Sequence, residues 1–345
     1  MTEPLDTVPV VILFGPTASG KTAVLEELFT GTAPFRAEIV SADSMQVYRG
    51  MDIGTAKPTP AERAALPHHL IDIRSPREQF NAGDFVRLAS AACRNIHRRG
   101  LVPVVSGGTG FYLKTLMYGL PEAPPSDPVL RARLREELKN RGAGALAEEL
   151  AAFDPVSARR IHINDEYRLL RALEVLRLTG RPLSSYARNG APAEAAPGAL
   201  SGVRNGVPDA AGPGGMEGEC PFRFLLLALD CGREQLYKRI NERCAKMFRQ
   251  GLPGEVETLF RLGYTPLDPG LKAIGYREFF VEDEPGTFRV SQDREAVQEL
   301  IARNSRRYAK RQICYFASIP GVRRIEAGSS AAGEIARALE NFLRL

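Results

Sequence analysis

The first third of the chain alternates short apolar runs with segments of helical periodicity. Apolar runs at 8–14, 38–42, 69–73 and 101–105 predict buried strands, and the spacing over 85–99 predicts a helix before the last of them. Strands that alternate with helices indicate a parallel sheet with helices on both faces. Because ligands of such sheets gather beyond the carboxyl ends of the strands, the residues that follow each run are the candidates for function.

The pattern changes after residue 120. Several prolines interrupt the chain between 121 and 128, and Leu130, Leu134 and Leu138 then recur at helical spacing. We predict several short, arginine-rich helices up to about residue 188 and interpret them as an inserted lobe. The stretch that follows is rich in Ala, Gly and Pro without periodicity, which is typical of a flexible linker.

A later apolar run at 222–229 predicts a buried strand that returns to the sheet. Helices dominate the remainder, apart from a short strand predicted at 322–325. The run at 222–229 ends at Asp230, whose carboxylate could bind Mg²⁺. We favour a simple turn residue there, because Cys231 and Gly232 follow at once.

Residues 15–22, GPTASGKT, fit the phosphate-loop pattern G-x-x-x-x-G-K-[ST] directly after the first predicted strand. Glycines let backbone N–H groups surround a diphosphate, Lys21 supplies a positive charge, and Thr22 offers a hydroxyl to Mg²⁺. The start of the following helix adds a partial positive charge. The predicted diphosphate-binding residues are Gly15, Pro16, Thr17, Ala18, Ser19, Gly20, Lys21 and Thr22, with Thr22 also the predicted metal ligand. The alternative is an ordinary glycine-rich turn.

These features together predict the fold class: α/β, with a P-loop NTPase-like parallel sheet core, helices on both faces and a helical insertion domain. The predicted parts are the first portion of the core at 1–120, the insertion at 121–189, the linker at 190–220, and at 221–345 the completion of the core with basic C-terminal helices.

Two polar residues follow other predicted strands at the same edge of the sheet. Asp43 comes after the second strand, and Thr109 lies in a glycine-rich turn after the run at 101–105. One cleft could therefore hold both residues and the phosphate loop. Two structural alternatives stay open, since Asp43 could cap a helix and Thr109 could be an ordinary turn residue.

A run of cations near the C-terminus has helical spacing. Arg303, Arg306, Arg307, Lys310 and Arg311 fall on one helix face, with no acid between residues 303 and 323. Tyr308, Gln312 and Phe316 fall on another side and are predicted to pack inward. Like charges at this spacing repel, so the face favours a polyanionic partner, with an idle solvated face as the alternative.

Length, charge and cysteine content limit the classes of protein to which the chain can belong. The 345 residues suffice for an α/β core and a smaller unit, and the formal net charge is +5. The five cysteines form no C-x-x-C pair, which argues against a zinc site or a disulfide framework. No apolar run is long enough to span a membrane and no export signal is visible, so we expect a cytoplasmic protein.

With these motifs in hand, the chain resembles the tRNA dimethylallyltransferases (tRNA isopentenyltransferases). The matching segments are GPTASGKT (15–22), SADSMQVYRGMDIGTAKP (41–58), PHHLIDI (67–73), GGTGFYL (107–113), NDEYRLLRALE (164–174), GREQLYKRI (232–240), KAIGYRE (272–278) and SRRYAKRQ (305–312). The segment at 41–58 is far more specific than the phosphate loop alone. The resemblance implies transfer of a dimethylallyl group from its diphosphate to N6 of the adenosine just 3′ of the anticodon.

The resemblance also implies roles for individual residues. Asp43 would be the general base on the adenine amino group, and Thr109 and Arg233 would complete the catalytic diphosphate site. Residues implied in tRNA binding are Asp43, Ser44, Met45, Gln46, Arg131, Tyr167, Arg168, Leu169, Leu170 and Arg171, with Arg303, Arg306, Arg307, Lys310 and Arg311 on the basic helix. The expected cofactor is Mg²⁺, the expected partners are dimethylallyl diphosphate and the tRNA anticodon stem-loop, and we expect a monomer.

The chain departs from the family pattern at a few positions. Ser305 stands where threonine is usual, Cys314 and Tyr315 where Thr-Trp is usual, and Tyr167 where glutamine is common. None of these changes lies in the phosphate loop or at Asp43, so we expect activity to survive.

Three rival functions remain on sequence alone. An adenylate isopentenyltransferase acting on free AMP, ADP or ATP would need neither the arginine-rich lobe nor the basic helix. A P-loop small-molecule kinase would explain residues 15–22 but not residues 41–58. A non-catalytic RNA-binding relative should have lost Asp43 or Lys21, and both are present.

Overall fold

A computed structural model describes residues 7–30, 35–119, 123–186, 203–204, 207–208 and 222–344. Most of the linker predicted at 190–220 therefore lies outside the described residues. The chain divides into two compact units, one formed by residues 1–117 and 195–345 and the other by residues 118–194. No helix in the described ranges combines the length and apolar character needed to cross a membrane.

A six-stranded parallel sheet forms the centre of the first unit, in the order β10-β7-β1-β4-β2-β3. The strands of this sheet are β1 (Val8–Phe14), β2 (Ala37–Ser41), β3 (His68–His69), β4 (Val102–Gly107), β7 (Phe222–Asp230) and β10 (Arg323–Glu326). Two separate two-stranded antiparallel sheets are formed by β5 (Val203–Arg204) with β6 (Val207–Pro208) and by β8 (Phe280–Glu284) with β9 (Thr287–Val290).

The helices in chain order are α1 (Lys21–Phe29), α2 (Pro60–Ala65), α3 (Ala82–Arg98), α4 (Gly110–Tyr118), α5 (Pro128–Phe153), α6 (Pro155–Arg160), α7 (Glu166–Thr179), α8 (Arg233–Arg249), α9 (Leu252–Arg261), α10 (Arg294–Phe316) and α11 (Ala331–Leu343). Short 3₁₀ turns occur at Leu183–Ser185, Gly270–Lys272 and Arg277–Phe279.

Helices cover both faces of the sheet. Val11 and Leu13 of β1 share a buried cluster with residues of α1 and α11. Because side chains alternate along a strand, Phe14 points to the opposite face, where its ring lies 4.9 Å from that of Phe316 in α10. The predicted fold class of a parallel sheet between helical layers is confirmed.

Most of the predicted strands occur within a residue or two of their expected positions, but the one predicted at 69–73 is wrong beyond His69. Only His68 and His69 pair with β2. Leu70 and Asp72 then adopt left-handed backbone conformations, with φ of 63° and 59°, which end an extended strand. The Asp72 carboxylate instead accepts hydrogen bonds from Lys57 and Arg63.

The second unit consists of α5, α6 and α7 around its own apolar core. Residues 128–153, labelled α5, are two helices separated by non-helical backbone at Gly142 (φ 77°), so the structure agrees with the several short helices predicted here. Glu174 is fully buried, and it accepts hydrogen bonds from the Ser126 hydroxyl and the Asp127 N–H at 2.7 Å each. It also pairs with two arginines of this unit, at 2.7 Å from Arg171 and 3.5 Å from Arg131.

A carboxylate of α9 ties the first half of the chain to the second. Glu255 accepts hydrogen bonds from the N–H groups of Asp52, Ile53 and Gly54 at 2.8–3.2 Å, and from the Tyr276 hydroxyl at 2.6 Å. The Tyr276 ring lies against Gly54, where a Cβ would meet ring carbon at 2.4 Å. Two of the segments that carry the resemblance, 41–58 and 272–278, are therefore one structural unit.

Candidate active site

The phosphate loop connects the central strand to the first helix. β1 ends at Phe14 and α1 begins at Lys21, with Ala18 (φ 63°) and Gly20 (φ 98°) in left-handed conformations. A side chain on Gly15 would meet the Leu229 carbonyl and the Ser19 hydroxyl at 2.9 Å, so this position requires glycine. Several backbone N–H groups in this loop have no protein acceptor among the described residues. They include those of Ala18, Gly20, Lys21 and Thr22. Such groups at a helix start suit an anion.

Lys21 lies folded over this loop. Its ammonium donates to the carbonyls of Gly15 and Pro16, at 2.9 and 3.0 Å, and to the Ser19 hydroxyl at 3.4 Å. Burial and the nearby Arg243 guanidinium lower the pKa of Lys21 to about 8, while the Asp43 charge opposes that shift. The loop therefore concentrates positive charge that an anion would stabilise.

Two arginines of α8 reach the phosphate loop, and neither was predicted as a site residue from the sequence. Arg243 donates to the Thr17 hydroxyl at 3.0 Å, and Arg239 donates to the Ser19 carbonyl at 3.4 Å. Burial lowers the pKa of Arg243, and the Asp43 charge opposes that shift. The guanidinium of Arg233, which was predicted to complete the diphosphate site, lies over the Tyr237 ring at 5.3 Å, and this residue is exposed. No contact of Arg233 with the loop occurs in the described part of the chain.

Asp43 follows β2 and is half-buried. Its Oδ1 accepts hydrogen bonds from the N–H groups of Met45 at 2.8 Å and Gln46 at 3.3 Å, so the side chain does stabilise the turn that follows it. Its Oδ2 has no hydrogen-bond partner among the described residues, which leaves one carboxylate oxygen for other chemistry. The Asp43 charge also raises the pKa of Tyr308 and Tyr112, although burial contributes more at both.

Thr109 joins the Asp43 loop to the glycine-rich turn after β4. Its hydroxyl accepts the Ser44 N–H at 3.1 Å, and its own N–H donates to the Ala42 carbonyl at 3.1 Å. Gly107 is required beside it, because a Cβ there would lie 2.2 Å from the Ala42 carbonyl oxygen. The predicted convergence of loop, acid and threonine agrees with these contacts and with the order of β1, β4 and β2 in the sheet.

Ser44, Met45 and Gln46 form the turn after Asp43, and all are half-buried. Both polar atoms of the Gln46 carboxamide form hydrogen bonds. Its Oε1 accepts a hydrogen bond from the Ser41 hydroxyl at 2.9 Å, and its Nε2 donates to the Ala56 carbonyl at 3.3 Å. The turn therefore has a defined shape.

α10 contributes two polar side chains to the same region, Tyr308 and Gln312. Gln312 is buried and joins the phosphate loop to Gly108, accepting the Thr17 N–H at 2.9 Å and donating to the Gly108 carbonyl at 2.7 Å. Burial raises the pKa of Tyr308 to about 12, opposed by the side chains of Thr109 and Gln312. The phenol is therefore a neutral group at physiological pH.

The outer face of α10 carries the predicted cations. Arg303, Arg307, Lys310 and Arg311 are exposed, while Arg306 is half-buried and donates to the Asn241 side chain at 2.6 Å. Within the described ranges, none of the five forms an ion pair with a carboxylate. The prediction that Gln312 and Phe316 pack inward is confirmed, since both are buried.

In the helical unit, the residues predicted to contact tRNA occupy different environments. Tyr167 is 71% exposed, with the Arg131 guanidinium 4.7 Å from its ring centre, and Arg168 is an exposed partner of Asp165 at 3.3 Å. Leu169 and Leu170 are buried in the core of the unit, so their side chains support its packing. Arg171 is held by Glu174, and its role in binding tRNA stays a prediction, as does that of Arg131.

Mg²⁺ was expected at Thr22, which is exposed at the start of α1. No cluster of three or more His, Cys, Asp or Glu side chains suited to a metal occurs among the described residues. Mg²⁺ is commonly held by one or two protein groups, waters and phosphate oxygens of a substrate, and the Thr22 hydroxyl is of the kind that could serve as one such group. Its role as a metal ligand stays a prediction. Asp230 pairs with Arg324 at 3.4 Å and is exposed, in keeping with the turn role favoured for it.

A phosphate loop at the end of the central strand, contacted by the cationic side chains of Lys21, Arg239 and Arg243, defines a P-loop α/β protein whose loop suits a phosphate-bearing ligand. The chain belongs to the IPP transferase family, whose family model matches residues 46–319. The family predicted from the motifs is confirmed.

Relatives of known name cover nearly the whole chain. It is 42% identical over 316 residues to the tRNA dimethylallyltransferase of Geobacter sulfurreducens, which covers 92% of this chain and 91% of that protein. It is 43% identical over 322 residues to that of Syntrophobacter fumaroxidans, covering 93% and 84% of the two chains. The crystal structure of the tRNA isopentenylpyrophosphate transferase from Bacillus halodurans is similar with a TM-score of 0.62 and 32% identity, over 98% of this chain and 97% of that one.

Proposed function

We propose that this protein transfers a dimethylallyl group from dimethylallyl diphosphate to N6 of the adenosine 3′-adjacent to the anticodon of tRNA, giving N6-isopentenyladenosine and diphosphate. The observation that carries the proposal is the arrangement around the phosphate loop. Lys21, Arg239 and Arg243 contact the loop, and the Asp43 charge acts on two of these cations. The names of the relatives support tRNA as the acceptor.

The reaction exchanges the C1–O bond of the allyl diphosphate for a C1–N6 bond and moves one proton from N6 to a base. The adenine N6 attacks C1 of the allyl group, and the C1–O bond breaks with its electron pair on the leaving diphosphate. Loop N–H groups, Lys21 and Arg243 stabilise the negative charge that grows there. The N6 proton passes to the Asp43 carboxylate, whose free oxygen suits a general base.

Mg²⁺ would bind through the Thr22 hydroxyl and the diphosphate oxygens, where it would supply further positive charge. A base within a stacked anticodon loop is out of reach of this site, so the target adenine must leave the stack at a cost of about a few kcal/mol. The exposed cations of α10 can offset that cost through contacts with the RNA backbone. The cytoplasmic location and the monomeric state stay predictions.

One assay separates this proposal from its rivals. The protein is incubated with labelled dimethylallyl diphosphate, Mg²⁺ and either unmodified tRNA or AMP, and a parallel reaction with added ATP measures ATP turnover. We expect label in tRNA and none in AMP. Transfer to AMP alone would identify an adenylate isopentenyltransferase, and ATP turnover without allyl transfer would identify a kinase.

A further inference from the structure

Gln312 is the side chain of α10 that contacts both sides of the candidate active site. It is 5% exposed, and its carboxamide uses both of its ends. The oxygen accepts the Thr17 N–H of the phosphate loop at 2.9 Å, and the nitrogen donates to the Gly108 carbonyl, next to Thr109, at 2.7 Å. The partners lie 295 and 204 residues away in sequence, so this link exists only in the folded protein.

The surrounding backbone is shaped to receive this carboxamide. A Cβ on Gly108 would lie 2.4 Å from Gln312 Nε2, so any other residue there would displace the side chain. The neighbouring Gly110 is in the same position against the Tyr315 ring, also at 2.4 Å. The glycine-rich turn thus lacks side chains where the last turns of α10 approach it.

The link to Thr17 has a consequence for diphosphate binding. Gln312 holds the Thr17 N–H while Arg243 holds the Thr17 hydroxyl, so this residue is fixed from two sides. The donors that remain for a ligand are the N–H groups farther along the loop. Because Gly108 precedes Thr109, the other end of the carboxamide fixes the turn that supports Ser44 beside Asp43.

We propose that Gln312 is a positioning residue, which sets the separation between the phosphate loop and the Gly108–Thr109 turn. This inference rests on the proposed function, because that separation then determines how the diphosphate faces the acceptor amine near Asp43. Misplacement of reacting groups by about 1 Å can lower a rate by about 100-fold. Loss of the carboxamide should therefore reduce turnover although Gln312 itself does not contact the reacting atoms.

The test uses two substitutions that keep the length of the Gln312 side chain, Gln312→Met and Gln312→Glu. Gln312→Met removes the donor and the acceptor, and we expect kcat to fall about 10- to 100-fold. We also expect a higher KM for dimethylallyl diphosphate and weaker binding of inorganic pyrophosphate by calorimetry, with tRNA affinity unchanged. Ile313→Ala, an exposed neighbour on the same helix, is the matched control and should change none of these quantities.

Gln312→Glu should give a pH-dependent kcat that would not be expected if Gln312 served only in packing. When protonated, the carboxyl donates to the Gly108 carbonyl and accepts the Thr17 N–H, as the amide does. When ionised, it cannot donate and its second oxygen repels the carbonyl oxygen. The ratio of kcat for Gln312→Glu to wild type should therefore rise as pH falls, whereas the ratio for Gln312→Met should stay flat.

Wild-type kcat and pyrophosphate affinity in both variants would overturn the proposal. A loss of tRNA affinity and thermal stability in both, without the pH-dependent ratio, would do so too, since it would mark Gln312 as a packing residue. If the wild type transfers no allyl group at all, the proposed function fails separately, and pyrophosphate binding still decides the role of Gln312.

Discussion

Asp43 has two functions in its loop that substitutions can separate. Oδ1 accepts the Met45 and Gln46 N–H groups and so supports the turn, whereas the proposed base is the free oxygen of the carboxylate. Asp43→Asn keeps an acceptor for the turn but loses the base, so kcat should fall by about 100- to 10,000-fold with tRNA affinity retained. Asp43→Ala also loses the turn acceptor, at a cost of about 1 kcal/mol of stability. Single-turnover transfer assays and thermal melts measure the two effects, and near-normal turnover by Asp43→Asn would exclude the base role.

Arg243 and Arg233 make a matched pair on one helix. Arg243→Ala removes a cation that contacts Thr17, so we expect a higher KM for dimethylallyl diphosphate and weaker pyrophosphate binding. Arg233→Ala removes an exposed cation that lies over the Tyr237 ring, so little change is expected. Steady-state kinetics of both variants decide the matter. If Arg233→Ala raises the KM more than Arg243→Ala does, Arg233 rather than Arg243 binds the diphosphate.

The pH dependence of diphosphate binding should report on Lys21. With its pKa lowered to about 8 by burial and Arg243, the free protein progressively loses this cation as pH rises through that value. We therefore expect kcat/KM for dimethylallyl diphosphate to fall above pH 8. Bound diphosphate favours the charged ammonium, so kcat should fall only at higher pH. In Arg243→Ala the fall in kcat/KM should begin at higher pH, because one cause of the lowered Lys21 pKa is removed. If the fall begins at the same pH as in the wild type, it belongs to another group.

At the residue scale, the sequence predicts the site residues that directly follow strands of the sheet. Lys21 and Asp43 follow predicted strands, and strand order alone brings them to one edge. Arg243 lies outside the quoted segments, and Gln312 was predicted only to pack inward. Their contacts with the loop were missed because they depend on the packing of α8 and α10, more than 200 residues later. A signal for the arginines was present, since Arg239 and Arg243 are four residues apart on one face of a helix that follows a strand of the core.

At the scale of elements, one side of α10 packs against the core and the other carries exposed cations. The role of the cations in binding tRNA can be tested without disturbing the packed side. Arg303, Arg307 and Lys310 are exposed, so their joint replacement by alanine should leave folding intact. We expect weaker tRNA binding, with the slope of log affinity against log salt reduced by about 0.7–0.9 for each phosphate that the variant no longer neutralises. Filter-binding titrations across a salt series measure that slope.

A control of equal charge keeps this test specific. Arg98, Arg337 and Arg344 are exposed cations of α3, α11 and the residue after it. Their triple replacement by alanine lowers the net charge by the same amount as the α10 variant. If both triple variants lose the same affinity, the α10 face has no special role in binding tRNA.

Periodicity predicts whole elements better than their ends. The run at 8–14 coincides with β1, because it is uninterrupted and buried on both faces. The run at 69–73 is shorter and contains Asp72. Leu70 and Asp72 take left-handed conformations, and the Asp72 carboxylate accepts hydrogen bonds from Lys57 and Arg63. Hydrophobicity does not encode that polar cluster, which only forms when the loop of residues 48–57 folds beside it.

At the scale of the whole molecule, the two halves of the sequence depend on each other through Glu255. This carboxylate is the acceptor for three backbone N–H groups of residues 52–54 and for the buried Tyr276 hydroxyl. Glu255→Ala would leave these donors without a partner, each at a cost of about 1–3 kcal/mol where water cannot reach it. We expect a fall in melting temperature and reduced allyl transfer, since the loop that begins at Asp43 continues into these residues.

Glu257→Ala supplies the matched control for that variant. Glu257 is two residues along α9 and pairs with Arg294 at 3.4 Å, with both side chains well exposed. An exposed ion pair contributes about 0–1 kcal/mol, so this variant should melt close to the wild type. Calorimetric melts of both variants, with transfer assays below the melting range, give the comparison. Equal stability of the two would show that residues 52–54 keep their shape without Glu255, and that the two halves of the chain are joined mainly by the sheet.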